Sequence, residues 1–408
     1  MIKRQLYLKQ LRQLQDKDFI KVITGIRRSG KTTLLLTFIE ELKKEIQEEN
    51  IIFISFEDLK YVNITTTDQL YDIIKDETKN LEGKIYFFFD EIQQIENWEK
   101  LINGLRVSYD CDIYITGSNS KLLSGELATL IAGRYIEIQV YPFSFNEIIQ
   151  YNSEIKNINI TKEIEEELFE EYITYGGMPG VVSIDSPEVK IQALNDIYNS
   201  IILKDIIYRH SISKVKILER LLYYMIDTVG NAFSSRSIYG YFKNKAIKTS
   251  KDTINKYAGY ISESFFMLMA KQYYVEGKQV LTMYEKYYLT DHGFHQAIVG
   301  NNSEIITGIL ENIVYIELRR RGYNVKVGKI SKDDNKEIDF VCQKDGDYLY
   351  IQVTYLLSTE KTINREFGSL MKINDNYPKY VISNDKINFS RKGIKHINII
   401  DFLKDENI

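Results

Sequence analysis

The segment Gly25-Ile-Arg-Arg-Ser-Gly-Lys-Thr32 constrains this sequence more than any other feature, because it joins a predicted strand to a predicted helix. The β-branched residues 20–24 before it are typical of a strand, and Thr33-Leu-Leu-Leu36 after it begins a helix. Two glycines let the backbone turn so that successive amide groups face inward, toward the positive end of the helix dipole. The segment is therefore predicted to be a phosphate-binding P-loop.

Within this loop, Lys31 supplies a mobile positive charge for the β- and γ-phosphates of a nucleotide. The Thr32 hydroxyl is a hard oxygen ligand of the kind that Mg²⁺ prefers. Arg27 and Arg28 are interpreted as flanking contacts to phosphate or to a partner. We expect the nucleotide-binding residues to be Gly25, Ile26, Arg27, Arg28, Ser29, Gly30, Lys31, Thr32 and Thr33.

Length and composition limit the class of protein. A chain of 408 residues is expected to form two to four domains, and its 44% hydrophobic and 27% charged residues are typical of a soluble globular protein. Neither a membrane-spanning run nor a signal peptide is apparent, so we expect a cytoplasmic protein without a membrane partner. Cys111 and Cys342 lie far apart in apolar stretches, which indicates packing rather than a disulfide or zinc site.

The pattern of elements predicts an α/β fold in four parts. Residues 1–150 alternate apolar strands with helices, which favours a parallel sheet covered on both faces. Residues 151–205 are predicted to be helical, and residues 206–302 helical with short strands, similar to a winged helix-turn-helix. Residues 303–408 begin a second, smaller α/β pattern.

A second nucleotide-binding signature follows the apolar stretch 85–89, which ends in Asp90-Glu91. At the carboxyl end of a parallel strand, Asp90 would hold Mg²⁺ and Glu91 would act as general base toward the attacking water. An acidic pair at the end of a strand also arises by chance. Its combination with the upstream P-loop favours a site for nucleotide hydrolysis.

Three further residues are candidates for completing this site. Ser118 and Asn119 follow another predicted strand, where a polar sensor would lie between water and γ-phosphate, although such residues also form ordinary turns. Arg134 is the candidate arginine finger, with a simple surface arginine as the alternative. If Arg134 acts in trans, the protein must self-associate.

Taken together, the motifs Phe89-Asp-Glu-Ile-Gln93, Gly133-Arg-Tyr135, Pro142-Phe-Ser-Phe145 and Gly176-Gly-Met-Pro179 with the P-loop resemble the prokaryotic AAA-type ATPases that carry a C-terminal domain of unknown function. The resemblance covers essentially the whole chain. It implies an AAA+ core over 1–150, a helical lid over 151–205, a winged-helix-like domain over 206–302 and a restriction-endonuclease-like domain over 303–408. ATP rather than GTP is the nucleotide that it implies.

The predicted nuclease-like domain departs from its expected active site. Glu311 and Asp339 match two acids of the PD-(D/E)xK pattern, but Gln352 and Thr354 stand where its glutamate and lysine are expected. A glutamine lacks the carboxylate charge, and a threonine cannot replace a cation beside the scissile phosphate. The sequence favours a vestigial site on a retained scaffold over an active nuclease.

The winged-helix-like segment is rich in basic and aromatic residues, which are able to contact phosphates. An ordinary solvated helical hairpin is the alternative. The cluster comprises Tyr241, Lys243, Lys245, Lys248, Lys251, Lys256 and Tyr257.

These residues lead to one hypothesis and two rivals. The hypothesis is an Mg²⁺-dependent AAA+ ATPase whose nucleotide state alters its engagement of DNA or a protein partner. The rivals are a slow nucleotide switch that holds partners and a nucleotide-gated nuclease.

Overall fold

The computed structural model describes residues 2–120, 133–277, 279–300, 305–331, 336–406 and 408, and for residues 281–284 the backbone alone. The chain divides into two compact units. The first comprises residues 1–140 with 263–265, and the second comprises 141–262 with 266–408. Among the described residues, no helix has the length and apolar character that a membrane crossing requires.

The first unit contains a parallel sheet, which confirms the predicted α/β class. Every neighbouring pair of its strands runs in the same direction, in the order β2-β3-β4-β1-β5. Its strands are β1 Ile20–Thr24, β2 Ile51–Ser55, β3 Ile85–Asp90, β4 Cys111–Gly117 and β5 Tyr135–Gln139.

Helices cover both faces of this sheet. Alternate side chains of β3 therefore enter different cores: Phe87 and Phe89 pack on one face, whereas Phe88 packs on the other, its ring 4.5 Å from that of Tyr114. This is why the strand is apolar at consecutive positions. The helices are α1 Gln5–Leu14, α2 Lys31–Leu42, α3 Thr67–Thr78 and α4 Trp98–Ser108.

The second unit begins with helices and ends with a mixed sheet. An eight-residue π-helix, Ile201–Tyr208, directly follows α8. The helices are α5 Phe145–Glu154, α6 Lys162–Tyr175, α7 Pro179–Val182, α8 Pro187–Ser200, α9 Val215–Asp227, α10 Ser235–Asn244, α11 Lys251–Glu263, α12 Gly293–Ile298, α13 Ile306–Arg320, α14 Glu360–Leu370 and α15 Ile399–Lys404.

One sheet links the two predicted C-terminal domains. In the described part of the chain it has eight strands, ordered β13-β12-β11-β10-β9-β7-β8-β6. The parallel pairing of β7 with β9 crosses the predicted boundary between 302 and 303, so the four-domain division stays a prediction. The strands are β6 Ala232–Phe233, β7 Met267–Tyr274, β8 Gln279–Leu289, β9 Asn324–Lys329, β10 Glu337–Lys344, β11 Asp347–Val353, β12 Lys379–Ser383 and β13 Lys395–Asn398.

The Gly-Gly turn of the second unit holds a buried carboxylate. Asp291 accepts hydrogen bonds from the backbone N–H groups of Gly177, at 2.8 Å, and Gly293, at 2.9 Å. Gly176 has φ +72°, and a Cβ on it would lie 1.8 Å from Asp291 Oδ1. The motif is thus explained by packing, and burial raises the pKa of Asp291 to about 6.

Replacement of Gly176 by Ala is expected to destabilise the fold by about 2 kcal/mol or more, because the methyl group would collide with Asp291 in a left-handed backbone conformation. Gly180→Ala is the matched control, since nothing lies within 4 Å of a Cβ there. Urea unfolding monitored by circular dichroism measures both variants. Equal midpoints for the two would contradict this account of the turn.

Candidate functional site

The P-loop lies at the carboxyl end of β1 and runs directly into α2. Gly25 adopts φ +139° and Gly30 φ +94°, conformations that favour glycine. A Cβ on Gly25 would lie 2.2 Å from the Val140 carbonyl oxygen, so this position also lacks room for a side chain. Both glycines thus adopt positive φ angles at the turn for which the sequence analysis invoked them.

Lys31, at the first position of α2, is buried inside the loop. Its ammonium donates hydrogen bonds to the carbonyl oxygens of Gly25, at 3.0 Å, and Ile26, at 3.2 Å. Its Nζ lies 3.9 Å from Glu91 Oε1. The structure therefore places the predicted cation and the predicted general base on the same edge of the sheet.

Asp90, at the end of β3, is hydrogen-bonded to residues of three other elements. Its carboxylate accepts hydrogen bonds from the hydroxyls of Thr32, at 2.9 and 3.0 Å, Thr116, at 2.7 Å, and Ser55, at 3.0 Å. Burial raises the pKa of Asp90, and the hydrogen bonds from Thr116 and Thr32 partly offset that rise. The two residues predicted as magnesium ligands, Thr32 and Asp90, are thus in direct contact.

Glu91 is held in a defined position beside Asp90. Its backbone lies in the left-handed region, φ +56°, and its N–H donates to Thr116 Oγ1 at 2.9 Å. Its carboxylate accepts hydrogen bonds from the Gln93 amide and, at 3.3 Å, from the Ser118 hydroxyl. A non-glycine residue held in this conformation stores backbone strain, a feature common at functional sites.

The two predicted sensor residues are both buried. Ser118 contacts Glu91 directly, and Asn119 follows it with 1% of its surface exposed. Sequence reasoning missed Ser55 and Thr116, whose hydroxyls bind the Asp90 carboxylate. A hydroxyl residue at or near the carboxyl end of each neighbouring strand was the available signal, because parallel strands end at a common edge.

The other predicted loop residues lie around this centre. Ser29 is fully buried and its Oγ has no hydrogen-bond partner in the described part of the chain. Arg27 reaches Glu57, at 3.3 Å, whereas Arg28 is exposed with φ +64°. Thr33 is half-buried in the first turn of α2.

Arg134 lies at the amino ends of β1 and β5, whereas the P-loop lies at the carboxyl end of β1. Its carbonyl oxygen accepts the Ile20 N–H at the start of β1, and its exposed guanidinium lies 3.1 Å from Asn103 Oδ1. The P-loop begins after the far end of this five-residue strand, roughly 16 Å away at the usual rise per residue. Within one chain, Arg134 therefore does not join the site, and a finger role requires a second copy.

The predicted vestigial nuclease residues come together in the second unit. Glu311, Asp339 and Gln352 line one cavity of about 390 Å³, together with Glu337 and Glu366. Val353 N–H donates to Asp339 Oδ2 at 2.7 Å, and Gln352 Oε1 lies 3.4 Å from the Asp339 amide nitrogen. Burial, with the nearby Glu311 carboxylate, raises the pKa of Asp339 well above its usual value.

Lys336 and Arg365 also line the cavity, and sequence reasoning missed a further cation of this cluster, Lys286. It comes from β8, within the predicted winged-helix-like domain, and its Nζ lies 3.1 Å from Glu311 and 3.3 Å from Glu337. Burial lowers the pKa of Lys286, but the surrounding carboxylates outweigh it and raise the pKa above its usual value. Tyr288 also donates to Glu311, at 2.6 Å. No group of acids, histidines or cysteines suited to a metal ion is found among the described residues.

The basic cluster of the helical hairpin is largely exposed. All five of its lysines lie at the surface, and the ammonium groups of Lys251 and Lys256 lie 6.0 and 5.7 Å from the ring centres of Tyr239 and Tyr260. Tyr241 is 49% exposed, but Tyr257 is only 7% exposed because it packs in the core under α11. The expectation that Tyr257 faces a ligand was therefore wrong.

Comparisons with known proteins match three segments of the chain to families. Residues 17–149 match the family described as AAA domain, residues 166–305 match a domain of unknown function (DUF8612), and residues 307–402 match another (DUF4143). An uncharacterized protein of Haemophilus influenzae is 40% identical over 405 residues, which cover 99% of this chain and 98% of that protein. An uncharacterized protein of Methanocaldococcus jannaschii is 32% identical over 396 residues, covering 94% and 85%.

Similarity to solved structures is weaker. The Orc1 protein of Aeropyrum pernix in complex with DNA has a TM-score of 0.35 and 11% identity, over 74% of this chain and 93% of that one. AMPPCP-bound DnaA of Aquifex aeolicus has a TM-score of 0.34 and 16% identity, over 64% and 88%. At these scores the likeness carries no argument about function.

We expect the effects of substituting Lys286 and Glu311 on the free energy of unfolding to be coupled, because the two side chains form an ion pair. Lys286→Met should destabilise the protein by about 3 kcal/mol, because it leaves a buried carboxylate without its cation. The double variant Lys286→Met with Glu311→Gln should be more stable than the sum of the single changes predicts. Urea unfolding of all four proteins measures the coupling, and strictly additive effects would contradict it.

Proposed function

This chain belongs to the same family as the Haemophilus influenzae and Methanocaldococcus jannaschii proteins and has an AAA domain at residues 17–149, and from this premise we propose that it is an Mg²⁺-dependent ATPase. The contact between Thr32 and Asp90 carries the proposal. It brings the end of the phosphate loop to the acid at the end of β3, with the Thr32 hydroxyl oxygen 2.9 and 3.0 Å from the two Asp90 carboxylate oxygens.

The residues present fit a magnesium nucleotide. A hydroxyl and a carboxylate are hard oxygen ligands, and the loop supplies main-chain amides at the N-terminus of α2. Thr32 and Asp90 would hold the ion. Magnesium bound there would offset the negative charge of the β- and γ-phosphates.

Each remaining residue has a defined part in this proposal. Lys31 leaves the carbonyl oxygens of Gly25 and Ile26 to bind anionic phosphate oxygens, which are stronger acceptors for an ammonium. Glu91 orients the attacking water and takes its proton. Thr116 fixes both acids, since its hydroxyl donates to Asp90 and accepts from the Glu91 backbone.

Two substitutions are expected to separate binding from chemistry. Lys31→Ala should abolish ATP binding, because the loop loses its phosphate-binding cation. Glu91→Gln should retain ATP binding but lower turnover at least about 100-fold, since the base is lost. Calorimetry with ATP and a phosphate-release assay measure the two effects.

The matched control is Lys44→Ala, which removes an exposed lysine just beyond α2. Turnover at the wild-type rate in Lys31→Ala, or absence of ATP binding at millimolar nucleotide in the unmodified chain, contradicts the ATPase proposal.

A slow nucleotide switch is the second candidate. It is favoured by the hydrogen bonds that Gln93 and Ser118 donate to the Glu91 carboxylate, because they use oxygens that a general base needs for the attacking water. In this case Glu91→Gln would preserve the response to a partner, as in P-loop switches that act by binding. Partner binding measured in ATP and ADP, with and without this substitution, distinguishes the two.

We further propose that the nucleotide state is coupled to binding of DNA through the basic hairpin α10–α11. Six basic residues and a single acid, Asp252, occur between residues 235 and 257, within a chain of net charge −4. Such local concentration of exposed positive charge attracts the phosphate backbone. The hairpin followed by the strand pair β7–β8 supports a winged-helix interpretation.

Neutralising three lysines should reduce the salt dependence of DNA binding. Lys245, Lys248 and Lys251 changed together to Gln should make the slope of log affinity against log salt shallower by about 3, one unit per lost phosphate contact. Fluorescence anisotropy with a labelled duplex measures the slope.

The control is the triple change of Lys44, Lys75 and Lys79 to Gln, which alters net charge equally at exposed positions of the first unit. The same loss in both triple variants, or no binding to duplex at low salt, would argue against a DNA-binding hairpin.

The C-terminal part is proposed to be a retained nuclease-like scaffold rather than a nuclease. Helix α13 and the antiparallel strands β9 to β11 support the resemblance, and Glu311 already has Lys286 and Tyr288 as partners. We also propose that the protein self-associates, with Arg134 acting in trans. Its proposed location is the cytoplasm.

A further inference from the structure

Arg4, which precedes α1, contacts the phosphate loop directly. It is only 5% exposed, and its Nη1 lies 3.1 Å from the carbonyl oxygen of Ser29. Its guanidinium carbon also lies 4.6 Å from the centre of the Tyr7 ring, which restricts the side chain from the other side. The charged Arg4 guanidinium is therefore buried against the P-loop.

This contact fixes the orientation of one peptide group of the P-loop. None of the described peptide bonds is cis, so the Ser29 C=O and the Gly30 N–H point in opposite directions. When Arg4 holds the carbonyl oxygen on its side, the Gly30 N–H must face the other side. Gly30 is the N-cap residue of α2, where backbone N–H groups lack acceptors within the helix and are available to anions.

Helix α1 contacts the P-loop at its start and α2 at its end. The Arg4 carbonyl oxygen accepts the N–H groups of Tyr7 and Leu8, so the residue that contacts the loop also begins α1. At the other end, the Arg12 guanidinium donates two hydrogen bonds of 2.9 Å to Glu41 on α2. Between them, apolar residues of the two helices share one core. Arg4 thus connects the P-loop to α1.

We infer that Arg4 is a positioning residue for nucleotide phosphates, holding the Ser29–Gly30 peptide so that its N–H faces the bound anion. The inference rests on the proposed ATPase function. Arginine suits this part because its guanidinium is permanently charged and donates in a fixed geometry. The charge also favours an anionic ligand in the loop.

Nucleotide affinity of an Arg4→Met variant tests the inference. Loss of a charge-assisted hydrogen bond that orders the loop should weaken binding of MgATP about tenfold or more. Arg4→Lys keeps the charge and a donor and should recover part of the loss. Arg12→Met is the matched control, since it removes the exposed arginine of the same helix without touching the loop.

Calorimetric titration well below the unfolding temperature separates this role from general stability. Arg4→Met and Arg12→Met are both expected to unfold at lower temperature, but only the former should lose affinity for ATP. Affinity equal to that of the unmodified chain in Arg4→Met, or a Lys variant no better than the Met variant, overturns the inference. If Arg4→Met does not fold, the comparison of Arg4→Lys with Arg12→Met decides: unchanged affinity in both overturns it.

Hydrogen exchange provides a second measurement. ATP should slow exchange of the amides of α1 in the unmodified chain and have less effect in Arg4→Lys. An equal effect in the two proteins contradicts transmission through Arg4. Failure of the unmodified chain to bind ATP at all would instead refute the ATPase proposal.

Discussion

The hydrogen bonds that converge on the buried carboxylate of Asp90 determine the geometry of the first unit's functional edge. Three hydroxyls from β2, α2 and β4 donate to this carboxylate at the end of β3. A buried carboxylate without such donors would be costly, so their number makes its burial possible. The same donors set the distance between the phosphate loop and the acidic pair.

Two clusters of polar residues, at the P-loop and at Glu311, each include a cation from a segment far away in the sequence. Arg4 reaches the P-loop from the N-terminus, and Lys286 reaches the carboxylates of α13 and β10 from β8. Arg4 lies in the same predicted domain as the P-loop, whereas Lys286 lies in the predicted winged-helix-like domain, outside the domain that contains Glu311 and Glu337. The second case bears on the C-terminal part, because the predicted nuclease pattern has a threonine at residue 354 and a lysine from another strand lies beside its acids. Lys286 forms ion pairs with Glu311 and Glu337, which supports a structural role.

The sequence was most informative about features that depend on a few consecutive residues. The P-loop, the strand ending in Asp90 and Glu91, and the parallel sheet follow from glycine positions and apolar runs, since each depends on a few consecutive residues. Thr116, Arg4 and Lys286 were missed because their roles come from contacts between residues far apart in the chain. Tyr257 was misassigned because an aromatic residue beside lysines is compatible with either face of a helix. The shared sheet of β7 and β9 likewise depends on strand pairing that no local pattern specifies.

A crystal structure of the chain with Mg²⁺ and a non-hydrolysable ATP analogue is the most direct test of the central claim. We expect the triphosphate to lie against the amides of residues 25–32, with the Lys31 ammonium on phosphate oxygens and the metal beside Thr32 and Asp90. An analogue bound elsewhere, or a loop that keeps Lys31 on the Gly25 and Ile26 carbonyl oxygens at saturating analogue, would contradict it.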